Sequence, residues 1–331
     1  DATRGTGWYR GDLHLHTVHS DGQRTPAELA AAARAAGLDF IASTDHNTSA
    51  ANRAWSQLRY EGLTVLPGQE VTTRHGHWLA IGTPTGCSVD WRYSPRDGVF
   101  AGHARQVRER GGLVVAAHPA VPLPSAAWEF GFRHVDAVEV WNGRWGVDDE
   151  ATLRLWHRLL RRGQRVAAVG GSDSHTPRQP VGRPQTVVHA TDLSTPALLA
   201  GLRQGRSYLA ESSGVVLRLA ARPLSAAGTP AGAQVGTQPR AEIGEALRLP
   251  SGTRILVTAS VTGVPGTRLT LLTAAGRLAS TRISAAGTHH LHAIVDSGVA
   301  RFVRAEVRRG AHRGVPAPMV ALSNPVWLLA G

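Results

Sequence analysis

The chain has 331 residues, 42% of them hydrophobic and 18% charged, with a net charge of +12 carried by arginine. That length suits one large domain with a smaller one, and no apolar run approaches the roughly 20 residues that a membrane-spanning helix needs. One cysteine, Cys87, excludes an internal disulfide and leaves the compartment open.

Trp8–His16 reads as a strand. Thr25-Pro26-Ala27-Glu28 then opens a helix, with a Thr cap, Pro in the first turn and Glu three residues after the cap, and Gly37 ends it. Leu38–Ser43 reads as a buried strand, Asn47–Glu61 as a helix, and Leu63–Leu66 and Trp78–Ile81 as short strands. Ala104–Arg110 is expected to be helical, Leu113–Ala117 and Val135–Trp141 to be strands, Asp149–Arg162 a helix, Arg165–Val169 a strand and Thr195–Arg203 a final helix. This alternation predicts a parallel sheet or barrel with helices outside, over residues 1–213.

The texture changes beyond Ser213. Ala221–Arg240 reads as loop, and Ile255–Val261, Leu269–Leu272, Leu291–Val295 and Ala300–Val307 are short alternating runs. In the last, Phe302, Arg304, Glu306 and Arg308 interleave with Val303, Ala305 and Val307, which predicts one wet and one dry face. A small antiparallel β-sandwich over 214–331 is expected. Charge divides at the same place: 23 Arg against 20 acids before it, 13 Arg against 4 after it.

Chemistry-bearing residues collect at the predicted strand ends. His14 and His16 alternate on one strand, so both imidazoles point to one side. Asp21 lies in the following loop, Asp45-His46 ends the second strand, and Glu70 follows the third. His77 begins the strand Trp78-Leu79-Ala80-Ile81, and His75 competes with it for the same role. His118 ends another strand, and Asp173 and His175 follow the strand before Gly170-Gly171. The C-terminal ends of barrel strands meet at one mouth, and imidazole mixed with carboxylate is the ligand set of Zn, Mn or Fe. A multinuclear metal site is the expectation.

The segments Gly11-Asp12-Leu13-His14-Leu15-His16-Thr17, Ser20-Asp21-Gly22, Thr44-Asp45-His46-Asn47, Gly68-Gln69-Glu70, Ala117-His118-Pro119 and Gly171-Ser172-Asp173-Ser174-His175 resemble the PHP family. This is the polymerase and histidinol phosphatase superfamily, and the details resemble its CehA/McbA-like branch. The resemblance spans residues 8–211, and the order and spacing of several motifs together make it specific. It implies a distorted (β/α)7 barrel holding two or three divalent ions. Carried over by position, it implies that His14, His16, Glu70 and Asp173 hold one metal. Glu70 then bridges to a second with His77 and His118, and Asp21, His46 and His175 hold a third. Asp21 stands where many members have His.

A hydroxide shared by such metals is the expected nucleophile, acting on a phosphomonoester or phosphodiester. The alternative is a carbamate, amide or carboxylic ester, since the same hydroxide attacks carbonyls. A metal-bearing binding module is a third reading, opposed by the complete ligand set. Arg183 and Arg144 are candidates to clamp phosphate, and Asp45, His118 or His175 to protonate the leaving group. The expected partner is a small-molecule, lipid or polyanionic phosphoester. Nucleic acid is disfavoured because no polymerase segment is present and the basic region lacks interleaved aromatics, and with eight of the nine Trp before residue 214 the sandwich has little aromatic surface for stacking on sugars. The basic C-terminal domain could touch an anionic membrane or cell wall. A short polar leader beginning at Asp1 reads as a chain after signal-peptide removal, in the extracellular space or cell envelope, with the cytoplasm as the alternative.

Overall fold

The computed structural model describes residues 5–57, 62–84, 86–224, 239–310 and 317–331, in two units, Asp1–Ser213 and Gly214–Gly331. The first unit runs β1 (Gly7–Asp12), α1 (Pro26–Ala35), β2 (Phe40–Ala42), α2 (Ala50–Gln57), β3 (Thr64–Leu66), β4 (Gly68–Thr73) and β5 (Gly76–Ile81). It continues through α3 (Phe100–Glu109), β6 (Leu113–Ala117), β7 (Ala137–Asn142), α4 (Val147–Arg161), β8 (Ala167–Gly171), β9 (Gln185–Ala190), α5 (Thr195–Arg203) and β10 (Ser207–Ala210).

Local chemistry explains most of these boundaries. Thr25 and Glu28 cap α1 reciprocally, each side chain taking the other's backbone N–H. Asn47 does not start a helix. Its φ is +53°, and its amide both accepts from Thr72 N and donates to Thr72 O, tying the loop to β4 instead. The end of the expected helix, residues 58–61, lies outside the described residues, as does 225–238 of the expected loop.

The strands form two sheets, β10-β9-β1-β2-β3 and β4-β5-β6-β7-β8. The sheets are mixed, not fully parallel. β1-β2-β3 and β6-β7-β8 run parallel, whereas β4-β5-β6 and β1-β9-β10 run antiparallel. Between β4 and β5 the chain returns by a tight turn before Gly76, at φ +117°, without a crossover helix. Two single bridges, His46 with Glu70 and Leu15 with Ser174, join the sheets at the strand ends. They close β1, β2 and β4–β8 into a seven-stranded distorted barrel.

One core gathers Tyr9, Phe40, Leu79, Val115, Val169 and Val188, with Leu198 and Leu202 of α5 packed into it. Ile41, pointing the other way from β2, joins Leu29, Ala33 and Trp55 of the flanking helices. The alternation along β2 therefore divides barrel from helix layer.

The second unit contains β11 (Val216–Pro223), β12 (Ala241–Glu242), β13 (Ala246–Leu249), β14 (Arg254–Thr262), β15 (Thr267–Thr273), β16 (Gly276–Ile283) and β17 (Thr288–Asp296). A short helical turn, α6 (Ser297–Ala300), precedes β18 (Phe302–Arg308), β19 (Met319–Ser323) and β20 (Val326–Ala330). One sheet is β12-β11-β14-β17. In the other, β18 pairs with β15 on one side and with β19 and β20 on the other, β16 flanks β15, and β13 flanks β20. The pair β13-β20 is parallel, so the sandwich is not wholly antiparallel.

The expected wet face of β18 does not form either. Phe302, Arg304 and Glu306 are all buried. β18 is a central strand, and its charges neutralise one another: Glu306 accepts from Arg304 at 2.6 Å and from Arg308 at 2.7 Å. Burial opposes ionisation of Glu306, but the two guanidiniums hold its pKa below the usual carboxylate value.

Candidate metal centre

The strand expected over Trp8–His16 ends at Asp12, and His14 and His16 lie in the irregular segment beyond it. Backbone bonds from Asp173 N to His14 O and from His16 N to Ser174 O still hold that segment extended against the chain after β8. Both imidazoles consequently face the same interior. Asp12 anchors the junction, its buried carboxylate accepting from the backbone N–H of His14, Ser172 and Gly182. Burial pushes Asp12 up to about 6 against the pull of these donors.

Glu70 stands at the middle. It lies inside β4, not after a strand, and is fully buried. Its Oε2 is 3.3 Å from His14 Nε2 and 3.5 Å from His16 Nε2. Its Oε1 is 3.0 Å from His77 Nδ1 and 3.2 Å from His118 Nε2. Asp173 Oδ1 completes the first group, 3.4 Å from His14 Nε2 and 3.0 Å from His16 Nε2. A third group surrounds Asp21, whose oxygens lie 3.8 Å from His16 Nδ1, 3.6 Å from His46 Nε2 and 3.4 Å from His175 Nε2. Within the groups His14-His16-Glu70, Glu70-His77-His118 and His16-Asp21-His46-His175, the ligand atoms lie within 4.8 Å of one another.

These atoms fit cations. His14 Nε2, both nitrogens of His16, His118 Nδ1, Glu70 Oε2 and Asp173 Oδ1 are buried and have no hydrogen-bond partner. Orphaned buried polar atoms are rare, and a cluster of them among imidazoles and carboxylates fits bound cations. Burial alone would lower His14, yet Asp173, Glu139 and Glu70 hold it well above the usual imidazole value. Burial would raise Glu70, yet His14, His118 and His46 hold it well below the usual carboxylate value. Strain collects here too. Three of the four non-glycine residues with left-handed φ among the described residues are Asn47, His118 and Asp173, beside or within the groups.

Further positioning residues were not legible as motifs. Glu139, buried in β7, hydrogen-bonds His14 Nδ1 at 3.0 Å and accepts from His118 N at 2.9 Å. Asn142 Nδ2 reaches both Glu139 at 3.1 Å and Asp173 at 3.3 Å. Thr72 Oγ1 lies 2.6 Å from His46 Nδ1. The one available signal was a lone acid in the otherwise apolar run Val138-Glu139-Val140-Trp141.

The other candidates have surroundings of their own. Asp45 is buried and accepts from Thr17 N, Thr17 Oγ1 and Ser20 Oγ at 2.7–2.8 Å, so it organises the loop carrying Asp21 and is not a free proton donor. Arg183 and Arg144 are exposed and form no ion pair among the described residues. His75 pairs with Glu129 at 3.0 Å, away from Glu70. His290 and His292 stack in parallel on β17, but no group of three ligating side chains forms there among the described residues.

Comparison with known proteins bears on the family. The PHP domain model matches residues 12–118. The uncharacterized protein MJ1587 of Methanocaldococcus jannaschii is 30% identical over 146 residues, 40% of this chain and 81% of that protein. The 5'-3' exoribonuclease Rnm of Salmonella typhimurium is 30% identical over 136 residues, but only 45% of it is spanned. A crystal structure from Bacteroides vulgatus, described as a two-domain protein containing a predicted PHP-like metal-dependent phosphoesterase, aligns with a TM-score of 0.54. At 17% identity it covers 98% of this chain and 97% of its own, which shows a shared fold. The barrel, the ordered motifs and these relatives place the chain in the PHP family.

Proposed function

We propose that the chain is a metal-dependent phosphoesterase acting on phosphomonoesters or phosphodiesters. The observation that carries this reading is Glu70, whose Oε1 faces His77 and His118 while its Oε2 faces His14, His16 and, at 2.8 Å, His46. His14, His16, Glu70 and Asp173 would hold one divalent ion, Glu70, His77 and His118 a second, and Asp21, His46 and His175 a third. Bound ions would lower the pKa of a shared water and neutralise charge developing on phosphoryl oxygens.

The chain's own residues do the rest. Glu139 fixes the His14 ring through Nδ1, leaving Nε2 to face the site. Thr72 does the same for His46. Beyond Thr72, a cavity of about 540 Å3 opens, lined by Arg74, Trp91 and Tyr93 among others. The Arg74 guanidinium forms no ion pair among the described residues and lies two residues beyond Thr72, offering a positive group to an anionic substrate. The names of the Salmonella and Bacteroides proteins support phosphoester chemistry, and membership of the CehA/McbA-like branch belongs to the same proposal.

Elemental analysis, followed by assay of the metal-loaded protein on aryl phosphomonoesters, aryl phosphodiesters and a short RNA, tests the reading. Metal-dependent turnover of at least one is expected. Turnover confined to aryl esters or carbamates would select carbonyl chemistry instead. Arg74→Gln is expected to raise KM for anionic substrates more than it lowers kcat.

A further inference from the structure

In the second unit, strand register sets three arginines side by side. Arg282 of β16 stands directly opposite Arg268 of β15, and Arg268 directly opposite Arg308 of β18. Directly opposed residues share a face of the sheet, and like charges so placed repel. Arg304 is on the same face, two positions apart twice over from Arg308, with Glu306 between them. Glu306 is the acid on this face of β18, between Arg304 and Arg308.

That carboxylate is already spent. Glu306 gives Oε1 to Arg304 and Oε2 to Arg308, at 2.6 and 2.7 Å. Arg308 also donates to Ala317 O at 3.0 Å, so its head is held in place. Among the described residues, Arg268 reaches the Ser280 hydroxyl at 3.3 Å, and neither it nor Arg282 meets a carboxylate. Arg268, Arg282 and Arg308 line one cavity of about 650 Å3, with Arg309 and the hydroxyl residues Thr270 and Ser284. Among the described residues, no acidic side chain lines it.

We infer that this cleft binds a phosphate-class oxyanion. The reasons are chemical. Guanidinium forks match phosphate oxygens in pairs. The cavity is concave, and its hydroxyls add donors between the guanidiniums. An anion seated there removes the cross-strand repulsion that the register creates. The ligand chemistry is the same whether the phosphate is free or carried on a lipid headgroup. This inference is independent of the reaction in the first unit.

The full chain, stripped of metal by chelator and dialysed, is titrated with inorganic pyrophosphate at low salt, with calorimetry and thermal melting as readouts. In parallel it is sedimented with phosphatidylglycerol vesicles. The comparison is with R268Q/R282Q, and with R268K/R282K to keep the charge. Binding of either probe that weakens at least tenfold in R268Q/R282Q, returns largely in the lysine pair and falls steeply with salt is the expected result. Pyrophosphate binding alone assigns a soluble phosphate, and vesicle binding a lipid headgroup. Without probe, R268Q/R282Q is expected to melt no lower than the parent, because it relieves repulsion. Equal binding by parent and R268Q/R282Q, no binding of either probe, or a lower melting point of that variant without probe would overturn the inference.

Discussion

Glu139 occupies a position in β7 where an apolar side chain would ordinarily pack, and it is kept there by partners that need an anion. It orients His14 and anchors His118 through the backbone. Carboxylates behind ligating histidines typically matter by roughly 10–100-fold in metal affinity or activity. Glu139→Gln is therefore expected to lower metal content and kcat together by roughly that factor while circular dichroism stays unchanged; full metal occupancy with unaltered kinetics would show that Glu139 only fills space. Asp45 makes the opposite point. It sits next to His46 in sequence, yet its oxygens are consumed by Thr17 and Ser20. Adjacent residues on an extended chain point to opposite sides, so only one of the Asp45-His46 pair reaches the ligand cluster.

Two elements hold the geometry so closely that small changes should be felt. β8 passes His14 with no room for a side chain. A Cβ on Gly171 would lie 2.5 Å from His14 Cβ and 2.7 Å from His14 N. Gly171→Ala must displace His14, and a cost of about 1–3 kcal/mol in unfolding free energy is expected, with lowered metal content by elemental analysis. At the start of α4, Asp149 accepts from Asn142 N at 2.8 Å and Gly146 N at 2.7 Å. Burial nevertheless pushes its pKa up to about 8. The folded state then holds a proton that the unfolded chain releases near pH 4. Stability contributed by this group accordingly falls as pH rises between about 4 and 8. Denaturant melts across that range should show a decline that Asp149→Asn flattens, and an identical pH profile in the variant would refute it. The elements themselves were largely readable, because α1, α5 and β6 carry their caps and apolar runs locally. β4, β9 and β10 were not, since short strands that pair antiparallel across the barrel have no periodicity long enough to announce them.

For the whole molecule, the metal centre is expected to act as a staple that joins segments distant in sequence. The candidate ligands span residues 14 to 175, and among them lie buried atoms without hydrogen-bond partners. A cation that binds only the folded state adds about 2.7 kcal/mol when its free concentration is a hundred times Kd. Chelation should lower the melting temperature followed by tryptophan fluorescence, which reports the first unit because eight of nine Trp lie there, and added metal should restore it. A melt unmoved by chelator would mean that the folded protein neither holds nor needs an ion. What the sequence determined by itself was the class of chemistry, imidazole mixed with carboxylate, together with the point near Ser213 where texture and charge change and the identity of the ligand candidates. Tertiary structure alone decided that one carboxylate, Glu70, serves two groups of histidines, that Glu139 stands behind them, that Asp45 is spent on a loop, and that Arg282, Arg268 and Arg308 meet in one row. These facts depend on register and on which strand lies beside which. Both arise from contacts between residues far apart in the chain, and no local pattern encodes them.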